Sequence, residues 1–173
     1  MRKIATVLVL AFVASCSDGD LEIEAIDFDS VAVENCGTVA EDTQIFFKRN
    51  GTEALILTLQ NGLLDDGTVG DTTITSQTSS IPSQSQLVYR IFNDDVPSNY
   101  FCDAFPPVSP TVIEEVEAED GILTIETKST ADGTAFEHTL TLSEISLVND
   151  QGERITDLSI NEFGEITIAI PQN

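Results

Sequence analysis

The amino-acid sequence predicts an all-β fold, a β-sandwich of about eight to ten short strands, with a small β-barrel as the alternative. Apolar and polar residues alternate over short segments, which is the period of a strand with one buried face. Turn-forming pairs such as Asn50-Gly51 and Asp132-Gly133 separate these segments. No helical periodicity of useful length follows the N-terminal apolar segment.

The clearest element is a hairpin formed by residues 44–49 and 53–60. Asn50-Gly51 connects the two segments and suits the two positive φ values of a type I′ turn. Three leucines at positions 55, 57 and 59 are predicted to line one face of the second strand.

The other predicted strands are short segments bounded by turn residues. In chain order they are residues 21–28 with a bulge at Ala25, a short strand near 72–75 in the polar stretch 61–86, then 87–92, 112–119, 122–128, 135–148, 153–160, and a last strand carrying Ile166, Ile168 and Ile170. Residues 93–110 are predicted to be a loop stiffened by four prolines.

Three positions in the second half of the chain decide how the strands connect. Asp120-Gly121 and Phe163-Gly164 are predicted to be turns, and a shift of the apolar phase at Ser143-Glu144 predicts a bulge. A series of short strands joined in this way is typical of an immunoglobulin-like sandwich or a related Greek key.

The N-terminus predicts export. Arg2 and Lys3 precede an apolar run from Ile4 to Ala14, which is the layout of a secretory signal peptide and is too short for a membrane-spanning stop-transfer helix. Val13-Ala14-Ser15-Cys16 resembles a bacterial lipobox. The resemblance implies that residues 1–15 are removed and that Cys16 is acylated, so that acyl chains anchor the chain in a membrane.

The residues after Cys16 refine the expected location. Residues 17–22, Ser-Asp-Gly-Asp-Leu-Glu, resemble the acidic surface-export signal of lipoproteins in Bacteroidota. This resemblance implies a lipid-anchored outer-membrane protein at the cell surface, with the periplasmic face as the alternative. Residues 16–20 then form an acidic tether, and residues 21–173 form a single β-sandwich domain.

Charge excludes one class of partner. After residue 15 the sequence has five basic and 30 acidic residues. Nucleic-acid binding needs a basic patch, so it is excluded. Anionic lipid would also repel the domain, and membrane attachment has to come from the acyl chains on Cys16.

Cysteine usage predicts one disulfide. With Cys16 assigned to lipid, Cys36 and Cys102 remain as a pair in an exported, oxidising setting. Closing the long loop between them would stabilise the fold by roughly 4 kcal/mol.

No catalytic residue is predicted. His138 is the only histidine in the sequence, and it shares a strand face with Phe136 and Leu140, so a satisfied, partly buried histidine is expected. Motifs of metalloproteases, α/β-hydrolases and phosphate-binding loops are absent from the sequence. The protein is therefore predicted not to be an enzyme and to need no cofactor.

Two loops carry the remaining candidate sites. Calcium is the metal that suits the acidic loops, one with Asp65-Asp66-Gly67 and Asp71, the other with Asp94, Asp95 and Asp103. Turn formation explains these residues equally well. Tyr100, Phe101 and Phe105 are the candidate partner-binding residues, with capping of the core as the alternative.

Three functions agree with these observations. The first is a non-enzymatic binding or structural module of the cell envelope. The second is an accessory carbohydrate-binding lipoprotein of a glycan-uptake system. The third is a small hydrolase that uses a pair of carboxylates.

Overall fold

The computed structural model describes residues 26, 28–64, 68–149, 152, 154–155 and 161–170. Regular structure in this part of the chain is almost entirely β, which confirms the predicted class. The strands are β1 (Glu34–Asn35), β2 (Ile45–Asn50), β3 (Glu53–Thr58), β4 (Thr75–Ile81), β5 (Gln86–Phe92), β6 (Val112–Ser129), β7 (Ala135–Asn149), β8 (Arg154–Ile155) and β9 (Glu162–Ala169), and one short helix, α1, spans Asn99–Cys102.

These strands form a single antiparallel sheet that curls over itself. One path through the sheet is β1-β2-β3-β5-β6-β7-β8, while β4 pairs with β6 and β9 pairs with β7 away from that path. The long strands β6 and β7 therefore belong to two halves. The first half contains β1, β2, β3, β5, β8, the start of β6 and the end of β7. The second half contains β4, β9, the end of β6 and the start of β7.

The main core lies between these two halves. It is built from alternating side chains of both: Leu55, Leu57, Leu87, Tyr89 and Val116 from the first half, and Leu123, Ile125, Leu140, Leu142, Ile166 and Ile168 from the second. Burying each side chain of this size stabilises the fold by about 1.5–3 kcal/mol. The three leucines of the predicted hairpin face are all buried, as expected.

β6 and β7 bend where their partners change. Register shifts on both sides of Asp120 interrupt the pairing of β6 with β7, and β4 replaces β5 as the other partner of β6 from Gly121 onward. Gly121 has φ +152°, and a Cβ atom there would overlap Cδ1 of Ile145. The predicted turn at Asp120-Gly121 is wrong, because glycine here permits a bulge inside one continuous strand.

Phe163-Gly164 is a second bulge and not the predicted turn. Both residues lie inside β9, where the register against β7 shifts between Leu140 and Thr141. Gly164 has φ +139°, and Phe163 is fully buried. The predicted bulge at Ser143-Glu144, in contrast, is confirmed: Glu144 has φ +57°, and the buried positions change phase after it.

The predicted hairpin is confirmed, but its turn lies one residue later. Asn50 pairs with Glu53, so the two loop residues are Gly51 and Thr52. Gly51 has φ +60°, whereas Asn50 and Thr52 do not have positive φ. A positive φ at the first loop position alone is the requirement of a type II′ turn, for which glycine is preferred.

β4 is longer and later than the short strand predicted near residues 72–75. It pairs along its whole length with β6 and buries Ser79 and Ile81. The Ser79 hydroxyl oxygen lies 2.7 Å from that of Ser85, so these buried hydroxyls satisfy each other. A strand at the edge of a sheet can be this polar because only a few of its side chains need to cover the core.

Several predictions fall partly or wholly outside the described residues. The signal peptide, Cys16 and the acidic tether lie outside them, as do Asp65, Asp66 and Gly67. Of the predicted first strand, Ile26 and Phe28 are described, and both are buried in the main core. β1 was not predicted. None of the helices in the described part is long and apolar enough to cross a membrane.

The predicted disulfide is present. Cys36 and Cys102 are bonded, with their Cα atoms 5.2 Å apart. Cys36 directly follows β1, and Cys102 ends α1. The bond therefore ties the start of the sheet to the loop between β5 and β6.

Candidate functional site

A recess beside Lys48 in the described part of the chain is called the Lys48 cleft. It has a volume of about 530 Å³. Its wall combines apolar and acidic side chains with one buried cation, and the residues that matter here are Asp29, Val33, Lys48, Glu162, Gly164 and Glu165. They come from the segment before β1, from β2 and from β9.

Lys48 occupies a core-facing position of β2. It lies two residues after buried Phe46 and opposite buried Leu55, and only 3% of its surface is exposed. Its Nζ atom donates a hydrogen bond to the Phe28 carbonyl oxygen at 2.9 Å and lies 5.7 Å from the centroid of the Phe163 ring. The ammonium therefore connects the N-terminal segment to β2 and β9.

Two effects on the pKa of Lys48 oppose one another. Burial lowers the pKa of Lys48, while the negative charges of Asp29 and Glu162 act in the opposite direction. A nucleophilic lysine also needs a lowered pKa, but the Lys48 ammonium is held as a donor by a backbone carbonyl. The geometry suits a structural clamp and a fixed positive charge in a binding cleft.

One wall of the cleft forms where the segment before β1 comes close to β9. A Cβ atom on Gly164 would lie 2.5 Å from Cγ2 of Val33 and 3.9 Å from Cε of Lys48. Glycine at the β9 bulge is therefore required for the segment before β1 to pack against the sheet.

Lys48 was missed by sequence reasoning, although a signal was present. The residue falls on the same strand face as Phe46, so an amphipathic reading of the hairpin places a lysine inside the core. A charged residue on an apolar face is uncommon unless it has a partner. The partner is a backbone carbonyl of the N-terminal segment, which the sequence does not reveal.

His138 is fully buried where partial burial was predicted, and only one of its ring nitrogens has a partner among the described residues. Its Nδ1 atom lies 2.8 Å from Oγ1 of Thr127, and its Nε2 atom has no hydrogen-bond partner among the described residues. Burial lowers the pKa of His138. Because the ring has no exposed surface, a substrate outside the core cannot reach it.

Of the acidic candidates, Asp71, Asp94, Asp95 and Asp103 are described, and they do not form a metal-binding group with other described residues. Asp94 accepts a hydrogen bond from the backbone N–H of Asp95 at 2.9 Å, and Asp103 accepts one from the Asn99 side chain at 3.2 Å. Asp71 accepts one from the Thr73 backbone, and its hydrogen bonds to Thr73 lower its pKa. Nowhere in the described ranges do three His, Cys, Asp or Glu side chains converge.

The structure separates the three aromatic candidates. Phe101 packs on Phe47 with ring centroids 4.5 Å apart, and Tyr100 packs edge-on against Phe92 at 4.9 Å. These two rings belong to a small second cluster, which agrees with the core-capping alternative. Phe105, in contrast, is 89% exposed.

No protein-family model matches the chain, and neither a curated protein nor a solved structure matches it significantly. Function therefore has to be inferred from the residues and their geometry.

Proposed function

We propose that this chain is an exported lipoprotein, anchored in the outer membrane through Cys16, whose β domain is a non-enzymatic binding or structural module of the cell envelope. The observation that carries the proposal is the pairing of Cys36 with Cys102. The sequence has three cysteines, so this disulfide leaves Cys16 alone, at the position where a lipobox has its acylated cysteine. A disulfide also suits an exported protein, because the cytosol keeps thiols reduced.

Acylation supplies the membrane affinity that the domain lacks. The chain has a net charge of −23, which disfavours binding to an anionic lipid surface. Each buried methylene of an acyl chain contributes about 0.8 kcal/mol, so two or more chains hold a protein firmly. Attachment through Cys16 is therefore compatible with an acidic exterior.

A binding role agrees with the Lys48 cleft better than a catalytic one does. Acidic and apolar side chains line the cleft, and its buried lysine is held by a backbone carbonyl and is not free to react. The histidine that an acid-base mechanism would favour is fully buried. Of the described aromatic residues only Phe105 is exposed, so no set of rings is arranged for stacking on sugars. We therefore place the glycan-binding and hydrolase hypotheses behind the binding module.

Metabolic labelling with a radioactive fatty acid tests this proposal in a bacterium that processes lipoproteins. The wild-type chain is expected to incorporate label, and Cys16→Ser is expected to incorporate none. The double variant Cys36→Ala/Cys102→Ala is the matched control, because it removes two cysteines and leaves the lipobox intact. An unlabelled wild-type chain would contradict the proposal.

A further inference from the structure

Residues 103–111 connect α1 to β6, and together with the start of β6 they expose apolar side chains. Phe105 is 89% exposed and Val108 is 95% exposed, the two highest values among the large apolar residues that the structure describes. Ile113 follows with 64%. Single exposed apolar residues are ordinary on protein surfaces, but several within ten residues mark an interaction site. Residues 104–113 are called the proline loop below.

The proline loop is held in its exposed position. At one end, Cys102 is fixed by its disulfide and Phe101 by its packing on Phe47. At the other end, Asn93 and Thr111 exchange hydrogen bonds of 2.9 Å and 3.1 Å, and Pro110 is buried.

Prolines 106, 107 and 110 further restrict the backbone of the loop. With its base fixed and its backbone stiff, the loop cannot fold back to cover Phe105 and Val108.

The charge of the proline loop differs from that of the whole chain. Residues 104–113 contain no charged side chain, whereas the chain carries a net charge of −23. An acidic surface is repelled by anionic headgroups, but an uncharged apolar loop can enter the boundary between headgroups and acyl chains. The loop is therefore a part of the described surface that is chemically suited to contact lipid.

The tether of the proposed function brings the loop within reach of a bilayer. Nine residues lie between Cys16 and buried Ile26, so the ten Cα-to-Cα steps from one to the other span at most roughly 35 Å when fully extended. A domain of this length has a radius of gyration of roughly 15 Å. The tether is long enough for the domain to turn the loop toward the membrane.

We infer that the proline loop is a second membrane contact, which inserts Phe105 and Val108 into the outer part of the bilayer that holds the acylated Cys16. The inference rests on the proposed lipid anchor. Two contacts fix the orientation of the domain, whereas a single flexible anchor does not. The opposite side of the domain, away from the loop, is then presented to partners.

The absence of tryptophan from the sequence allows a direct test. Phe105→Trp places a single indole on the loop at a site where a larger ring meets no packed neighbour. The matched control is Ile74→Trp, because Ile74 is 57% exposed and lies beside the end of β6 farthest from the loop. Each acylated full-length mature chain is reconstituted in phosphatidylcholine vesicles, with and without brominated acyl chains, after mass spectrometry has verified the acyl groups.

The indole at position 105 is expected to emit at a shorter wavelength when the protein is in vesicles than when the lipid has been removed and the protein is in detergent-free buffer. We expect brominated chains to quench it at least about threefold more strongly than the indole at position 74. In Phe105→Trp/Val108→Ser the quenching should weaken, because the second inserted side chain is lost.

Equal, weak quenching at both positions in a chain of verified acylation would overturn the inference and leave the proposed function standing. It would then direct attention to a protein partner for the loop. A chain that carries no acyl group would instead overturn the proposed function itself, so the two failures are distinguishable.

Discussion

His138 places an ionisable ring in the core of the protein. Its Nδ1 atom is satisfied by Thr127, and its Nε2 atom has no partner in the described part of the chain. An unsatisfied buried polar atom costs about 1–3 kcal/mol. A protonated ring would cost more, because its charge would lie in the core, where burial opposes it and no carboxylate of a described residue offsets that effect.

The buried ring predicts a pH dependence of stability. Burial lowers the pKa of His138 below its ordinary value of 6.5, so the unfolded chain binds a proton at a pH where the folded chain does not. The free energy of unfolding should therefore fall as the pH decreases through 6.5. From about pH 7.5 to about pH 5.5 the histidine should account for a loss of at most about 1.4 kcal/mol, the limit for a ring that stays neutral throughout in the folded chain.

Urea denaturation of wild type and His138→Gln at both pH values measures this term. The acidic residues contribute equally to both chains, so the difference between them isolates the histidine. If the two chains lose stability in parallel, the account of His138 as a neutral core residue is wrong.

At the residue scale the sequence reveals burial better than it reveals partners. The position of His138 on an apolar face predicted a ring that is partly buried, and the ring is fully buried. The partner expected for its second nitrogen is absent from the described residues. Lys48 is a second example, since its partner is the Phe28 carbonyl, twenty residues earlier in the chain. Hydrogen bonds across the fold depend on the final packing and not on local spacing.

Glycine bulges set the shape of the strands. Gly121 in β6 and Gly164 in β9 have positive φ and lie where another part of the chain comes close. Both were predicted to be turns, because a polar or aromatic residue before glycine is common to turns and bulges. Whether such a pair of residues forms a turn or a bulge depends on whether the segments on its two sides pair with neighbouring strands. β6 pairs with β4, β5 and β7.

Gly121→Ala should destabilise the fold by about 2–4 kcal/mol, because it adds a strained φ and an overlap with Ile145. Gly62→Ala is the matched control, since Gly62 also has positive φ but has open space around its Cα, and it should cost only about 1 kcal/mol. Chemical denaturation gives both values.

A second substitution separates overlap from backbone strain. Ile145→Val removes the Cδ1 atom that a Cβ at position 121 would meet. The double variant Gly121→Ala/Ile145→Val should therefore lose less stability than the sum of the two single variants. Equal costs for Gly121→Ala and Gly62→Ala, or strict additivity, would contradict a close approach at the bend of β6.

For the whole molecule, patterns close in sequence predicted the structure well and distant pairings did not. Alternation predicted the β class, the hairpin and most of β7, and cysteine counting predicted the disulfide. The curled sheet follows from long strands that change partners halfway, as β6 does between β5 and β4. Such pairings are decided by tertiary packing, which no local segment of the sequence contains.

Charge, disulfide and anchor belong together at this scale. An acidic exterior keeps the domain soluble, the disulfide ties its sheet to the loop that bears Phe105, and the acyl chains proposed on Cys16 would hold it at a membrane. The central claim is the acylation, because the location and the orientation of the domain both depend on it.

Intact-mass spectrometry of the protein purified from bacterial membranes tests that claim most directly. The expected result is a chain that begins at Cys16, with a mass raised by a diacylglycerol group and a further acyl chain, and with Cys36 and Cys102 oxidised. A chain cleaved at another residue, or one that begins at Cys16 with an unmodified thiol, would contradict the account.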